Sequence, residues 1–131
     1  MDNKKYIEKA EKLLKNAYCP YSNFPVAAIV IDELGNSYEG VNVENAAYPS
    51  SLCAERNAVT TAITNGMKNI QKVIVIANTD RPISPCGACR QVISEFSTDK
   101  TKVILATTKS DKIKEFLVSE ILPYGFENKD L

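Results

Sequence analysis

The sequence predicts a layered α/β domain. Residues 26–32, 73–77 and 103–106 are short apolar runs of the kind that form buried strands. The segments between and around them carry helical spacing or helix-opening motifs, and strands that alternate with helices build helix-covered sheets.

Taken in order, residues 4–17 form the first expected helix. Ile7, Ala10, Leu13, Leu14 and Ala17 recur at helical spacing, with lysines and glutamates between them. Pro20 and the segment Tyr21-Ser22-Asn23-Phe24-Pro25 end it in a loop. The strand at 26–32 follows. Leu34-Gly35-Asn36 makes a turn into a second strand at 37–43, so these two strands form an expected hairpin. Residues 45–51 read as loop. A second helix is expected from Leu52 to Asn65, where Asn65-Gly66 supplies a C-terminal stop. After the strand at 73–77 and a loop at 80–85, a third helix is expected over 86–96. The strand at 103–106 should run parallel to that at 73–77, because a helix joins them. Residues 111–122 read as mostly helical, ending at Pro123.

The bulk properties narrow the function. A chain of 131 residues suits one domain, expected to span residues 1–131. Sixteen basic and sixteen acidic side chains cancel without forming blocks, which argues against a nucleic-acid partner or an anionic membrane. The apolar runs are too short to span a bilayer, and Met1-Asp2-Asn3-Lys4-Lys5 is no signal peptide, so a cytoplasmic location is expected. Cys19, Cys53, Cys86 and Cys89 are therefore expected to be reduced. The absence of histidine excludes Ser-His and Cys-His catalysis and any imidazole-ligated zinc site.

Two segments carry chemistry. Cys53-Ala54-Glu55 lies at the start of the second expected helix, and Pro85-Cys86-Gly87-Ala88-Cys89 at the start of the third. A C-x-x-C at a helix start puts two sulfurs within one turn, which suits tetrahedral zinc. A third thiolate from Cys53 leaves the fourth position open, as in catalytic rather than structural sites. Three thiolates and one zinc ion sum to a net negative charge, which positive helix ends and Arg56 would offset. Glu55, two residues after Cys53, is rotated by roughly 200° from it, so the two converge only around a ligand near the helix end. Singly, these residues read more plainly. Glu55 alone is a first-turn acid, Phe24 a core residue, Asn42 and Glu44 a solvated strand face, and Cys19 a small semi-buried side chain.

Together they resemble the cytidine deaminases. The resemblance runs over residues 18–126 in one order and spacing: Tyr21-Ser22-Asn23-Phe24-Pro25-Val26, Asn42-Val43-Glu44-Asn45-Ala46, Cys53-Ala54-Glu55-Arg56, Ser84-Pro85-Cys86-Gly87-Ala88-Cys89-Arg90-Gln91 and Leu122-Pro123-Tyr124-Gly125-Phe126. Zinc deaminases combine thiolate ligands, a non-ligand glutamate and a P-C-x-x-C segment, so the reaction is implied by the resemblance rather than by spacing. It implies a three-layer α/β/α domain with a mixed central sheet of about five strands. It assigns Cys53, Cys86 and Cys89 to one zinc ion per subunit, and Glu55 to the proton shuttle. It assigns Phe24 to stacking near the base, Asn42 and Glu44 to the ribose, the Ala54 backbone to the pyrimidine and the Ser84 carbonyl to the exocyclic amine. Tyr48 and Phe126 would reach a neighbouring subunit's pocket in a homotetramer with shared sites. The implied reaction is hydrolytic deamination of cytidine and deoxycytidine in pyrimidine salvage, with no organic cofactor.

One position departs from the pattern: Ala27 stands where the family usually has glycine. Period-two alternation supports the ribose assignment, since it puts Asn42 and Glu44 on one side and Val41 and Val43 on the other. The alternatives are a related deaminase of another aminated heterocycle, such as blasticidin-S deaminase, an enzyme editing RNA or DNA, and a non-catalytic zinc module closed by Cys19.

Overall fold

A computed structural model describes residues 2–131. Its strands are β1 (Val26–Asp32), β2 (Ser37–Val41), β3 (Ile70–Ala77), β4 (Ser97–Thr107) and β5 (Ile113–Leu117). They form one mixed sheet in the order β2-β1-β3-β4-β5, in which β3 and β4 are parallel and the other neighbours antiparallel. The helices are α1 (Asn3–Leu13), α2 (Ala54–Thr64), α3 (Gly87–Glu95) and the short α4 (Val118–Ile121).

Alternation along the strands divides the apolar side chains between two layers. Ala27, Ile29, Ile31, Ile74, Ile76, Ile104 and Ala106 pack with Tyr6 and Ala10 of α1. Ala28, Val30, Val73, Val75, Val103 and Leu105 pack with Ala58, Val59 and Ala62 of α2, Ile93 of α3, and Val118 and Ile121 of α4. The result is the expected three-layer α/β/α arrangement. Ala27 is fully buried in the α1 layer, so its methyl group fills apolar space on the opposite side of the sheet from α2 and α3.

Local chemistry explains where the elements start and stop. The Asp2 carboxylate accepts from the Lys5 N–H at 3.1 Å and caps α1. The helix tightens into a 3₁₀ turn at Leu14–Asn16, which accounts for the rest of the expected span. At the end of α2, Asn65 is the C-cap and Gly66 takes φ +97°, the left-handed conformation that favours glycine. The Asp32 carboxylate accepts from the Leu34 and Asn36 N–H groups and shapes the β1–β2 turn.

Residues 111–122 correct the sequence expectation. Only Val118–Ile121 is helical, and Ile113–Leu117 is the edge strand β5. Lys114, Glu115 and Leu117 favour helix locally, but β4 offers an unpaired edge, and Lys102 to Ala106 pair with Leu117 to Ile113. Tertiary pairing wins over propensity here. β4 also begins earlier than its apolar run, at Ser97, because the Thr101 hydroxyl bonds the Ile70 carbonyl and draws this polar stretch onto β3.

The position of α2 depends on one glycine. A Cβ at Gly40 would lie 2.5 Å from the Ala54 carbonyl oxygen and 2.5 Å from the Ala58 nitrogen, both of them backbone atoms that cannot swing aside. The bare Gly40 backbone thus lets the first turns of α2 rest directly on β2. The Asn57 amide fixes the contact by donating to the Val41 carbonyl at 2.8 Å. Gly40→Ala should force the helix and strand apart. We expect a loss of about 1–3 kcal/mol in urea unfolding, the usual cost of overpacking a tight contact.

Candidate metal centre

Cys53 is the N-cap of α2 and Cys86 the N-cap of α3, while Cys89 lies one turn into α3. Because α2 and α3 lie side by side on the sheet, their starts meet. The three sulfurs lie within 4.8 Å of one another. Cys53 Sγ is 3.9 Å from Cys86 Sγ, and Cys86 Sγ is 3.3 Å from Cys89 Sγ. Thiolates on a tetrahedral zinc ion sit about 3.8 Å apart, so the spacing fits such an ion after small shifts. The donor set is all sulfur, which suits zinc rather than a hard cation. All four cysteines are free thiols, and Cys19 lies outside the cluster.

The surroundings act differently on the individual sulfurs. The Cys89 N–H points at Cys86 Sγ at 3.4 Å, as expected at a helix start. Burial opposes ionisation of Cys86, but bonds from the Cys89 N–H and from the Cys89 and Cys53 thiols outweigh it and draw its pKa down. Cys89 is fully buried, and burial together with the charge of Glu55 pushes its pKa far up when no cation is present. A cation held by these sulfurs relieves that penalty. Arg56 Nη2 donates to Cys53 Sγ at 3.5 Å and brings positive charge to the cluster. Its Nε is buried and has no hydrogen-bond partner among the described residues.

Glu55 is 5% exposed and lies against Cys89. Burial raises its carboxyl pKa above the ordinary range, against the lowering pull of its own backbone N–H, the Arg56 charge and the Cys89 thiol. Such a group exchanges a proton more readily near neutral pH than an exposed carboxylate does. Ala54, between Cys53 and Glu55, is fully buried.

A second cluster forms where β2 runs out. Asn42 accepts from the Val26 N–H at 2.9 Å and donates to the Phe24 carbonyl at 2.8 Å. Glu44 accepts from the N–H groups of Tyr21 and Ser22 at 2.9 and 3.1 Å, and from the Ser22 hydroxyl. These bonds, the hydroxyl foremost, hold the Glu44 carboxyl below its usual pKa. Asn42 and Glu44 thus both reach the loop at 21–26, although β2 ends at Val41 instead of residue 43. Their side chains shape the loop that presents Phe24, which is 43% exposed. Tyr48, 69% exposed in a 3₁₀ turn, meets Tyr21 edge to face with ring centres 5.6 Å apart. Phe126 is 58% exposed, and its carbonyl accepts from Gln91 Nε2 at 2.9 Å. Tyr48 and Phe126 make no side-chain bond to the cysteines or Glu55 among the described residues. The Ser84 hydroxyl is bound by Arg90.

This geometry has counterparts in known proteins. A family model for the cytidine and deoxycytidylate deaminase zinc-binding region matches residues 1–106. The chain belongs to the cytidine and deoxycytidylate deaminase family. A cytidine deaminase of Sporosarcina psychrophila is 44% identical over 131 residues, which is all of this chain and 96% of the relative. One from Halalkalibacterium halodurans is 41% identical over 131 residues, 100% of this chain and 98% of the relative. The crystal structure of a cytidine deaminase from Burkholderia pseudomallei superimposes with a TM-score of 0.91 at 37% identity, covering 96% of this chain and 100% of that one.

Some residues of this family member escaped the sequence reading. Gly40 and Asn57 set the height of α2 on the sheet, yet a glycine in a strand and an asparagine in a helix give only a weak hint of it. Ser22 belongs to a quoted motif, but its bond to Glu44 needs the folded loop. The geometry also separates an open three-sulfur site from one closed by Cys19. Cys19→Ser should retain one zinc per chain by elemental analysis, whereas Cys89→Ser should lose most of it.

Proposed function

We infer that the chain catalyses zinc-dependent hydrolytic deamination of cytidine and deoxycytidine, giving uridine or deoxyuridine and ammonia. The observation that carries this reading is the meeting of three sulfurs with a buried carboxyl, Glu55, at two adjoining helix starts. Cys53, Cys86 and Cys89 would hold the metal. When bound, zinc supplies Lewis acidity that lowers the pKa of a water molecule.

Glu55 does the proton work. It takes a proton as the water oxygen bonds to C4 of the pyrimidine, and it delivers that proton to N3. It then moves the second water proton to the amino group, the C4–N bond breaks, and ammonia leaves. The raised carboxyl pKa suits both directions of transfer. The Ala54 backbone and the Ser84 carbonyl orient the ring, and Phe24 offers an apolar face for it. Asn42 and Glu44 join ribose recognition to the shape of the Phe24 loop: the bonds that order that loop leave one amide hydrogen and about one carboxylate lone pair for a sugar hydroxyl. A site built to match a hydroxyl rejects aminated heterocycles that lack it. Arg56 supports the metal through Cys53.

The reading extends to the assembly and its setting. The whole chain, 1–131, acts as one deaminase domain with one zinc ion. The exposure of Tyr48 and Phe126 suits a homotetramer in which each lends an aromatic side chain to a neighbouring site. Free nucleosides are the substrates, and the balanced charge supports the absence of a nucleic-acid partner. No helix among the described residues is long and apolar enough to cross a membrane. The reading assigns the enzyme to pyrimidine salvage in the cytoplasm.

Ultraviolet absorbance tests the reaction. Zinc-loaded wild type should convert cytidine to uridine, and equally zinc-loaded Glu55→Gln should be slower by about 10²–10⁴-fold, the usual contribution of a general acid–base group. Zinc-loaded wild type that leaves cytidine unchanged would refute the substrate assignment.

A further inference from the structure

Arg90 makes three side-chain bonds, each to a different residue, and all outside its own helix. Its Nε donates to the Pro85 carbonyl at 2.8 Å, its Nη1 to the Ile121 carbonyl at 2.6 Å, and its Nη2 to the Ser84 hydroxyl at 2.5 Å. Among the described residues no carboxylate pairs with it. Its full charge therefore serves neutral acceptors, two of them main-chain carbonyls. Ser84 and Pro85 directly precede Cys86. Ile121 is the last residue of α4, where carbonyls lack helical partners.

We propose that Arg90 is a positioning residue that fastens the Cys86-bearing loop to the end of α4, making the C-terminal segment a structural part of the metal site. The proposal rests on the reading of the three cysteines as zinc ligands. The fork geometry of the guanidinium is what allows one side chain to span separate segments. Neighbouring residues of α3 share the task. Cys89 faces the sulfur cluster, Arg90 holds the loop and α4, and Gln91 holds the Phe126 carbonyl. Strain or motion in residues 121–126 reaches Cys86 through one helix turn. Because Arg90 bonds both the Ser84 hydroxyl and the Pro85 carbonyl, it also restrains the backbone on either side of the Ser84 carbonyl.

The test uses the zinc-loaded protein and its cobalt(II)-substituted form. Arg90→Gln should release zinc to a chelator about 10- to 100-fold faster, the usual effect of losing a group that supports a ligand. The thiolate-to-cobalt charge-transfer and d–d bands should also change in position or intensity. Arg90→Lys should recover only part of the loss, because one ammonium cannot span three acceptors. Ile31→Ala, in the α1 layer on the far side of the sheet, controls for lowered stability and should leave release and spectrum as in wild type. Folded Arg90→Gln with wild-type release and spectrum would overturn the proposal, as would equal effects from Ile31→Ala. Should Arg90→Gln fail to fold, Ser84→Ala removes one acceptor from the loop. Faster release then supports the proposal, and unchanged release overturns it. Wild type that holds zinc but does not deaminate cytidine overturns the function alone.

Discussion

The bare backbone of Gly40 lets α2 lie directly on β2, and the rest of the site follows from that contact. The first turn of α2 carries Cys53, Ala54 and Glu55. Its depth on the sheet decides whether the Cys53 sulfur reaches the sulfurs of α3 and whether the Glu55 carboxyl is buried. Small residues on the helix, Ala54 and Ala58, complement the missing side chain on the strand. Asn57 then adds a hydrogen bond that stops the helix from sliding along β2. The meeting of the sulfurs and the Glu55 carboxyl is thus set by close packing of backbones, which tolerates far less adjustment than contact between long side chains.

Helix starts supply the chemistry. Each presents N–H groups without helical partners and a positive dipole end, and two such ends converge on three sulfurs. Arg56 adds a full charge at Cys53. These groups bring positive charge and hydrogen-bond donors to the sulfurs while Glu55, only two residues from Cys53, is buried with its carboxyl pKa raised. The separation of roles comes from environment: N–H groups and Arg56 meet the sulfurs, while burial beside Cys89 raises the pKa of the Glu55 carboxyl. Asn42 and Glu44 apply the same economy to the nucleoside side, because the bonds that order the loop also fix the groups proposed to meet the sugar.

Most of this was legible in the sequence wherever one short segment carried the signal. The apolar run at 26–32 coincides with β1, and the helix-opening cysteines fall where α2 and α3 begin. The three-sulfur cluster was legible because it rests on one residue type at particular spacings. What stayed hidden depends on contacts between distant segments. Nothing near Gly40 marks the approach of Ala54, and nothing near Arg90 marks Ile121, thirty-one residues away. The polar start of β4 was missed because Thr101 finds its partner only on β3. Within residues 113–117, Lys114, Glu115 and Leu117 favour helix locally, while the force that extends them belongs to β4.

That conflict between local preference and final conformation has a consequence for solubility. An edge strand exposes unpaired N–H and carbonyl groups and can recruit a strand from another molecule, the first step towards aggregates. β5 carries Lys114 and Glu115 at this edge, charged residues depleted in strands, between Ile113 and Phe116. A strand added at this edge would have to lie beside those charges, which makes β5 a poor template for its neighbours. The Lys114–Glu115 pair that favours helix locally thus also makes this border of the sheet a poor seed for fibrils.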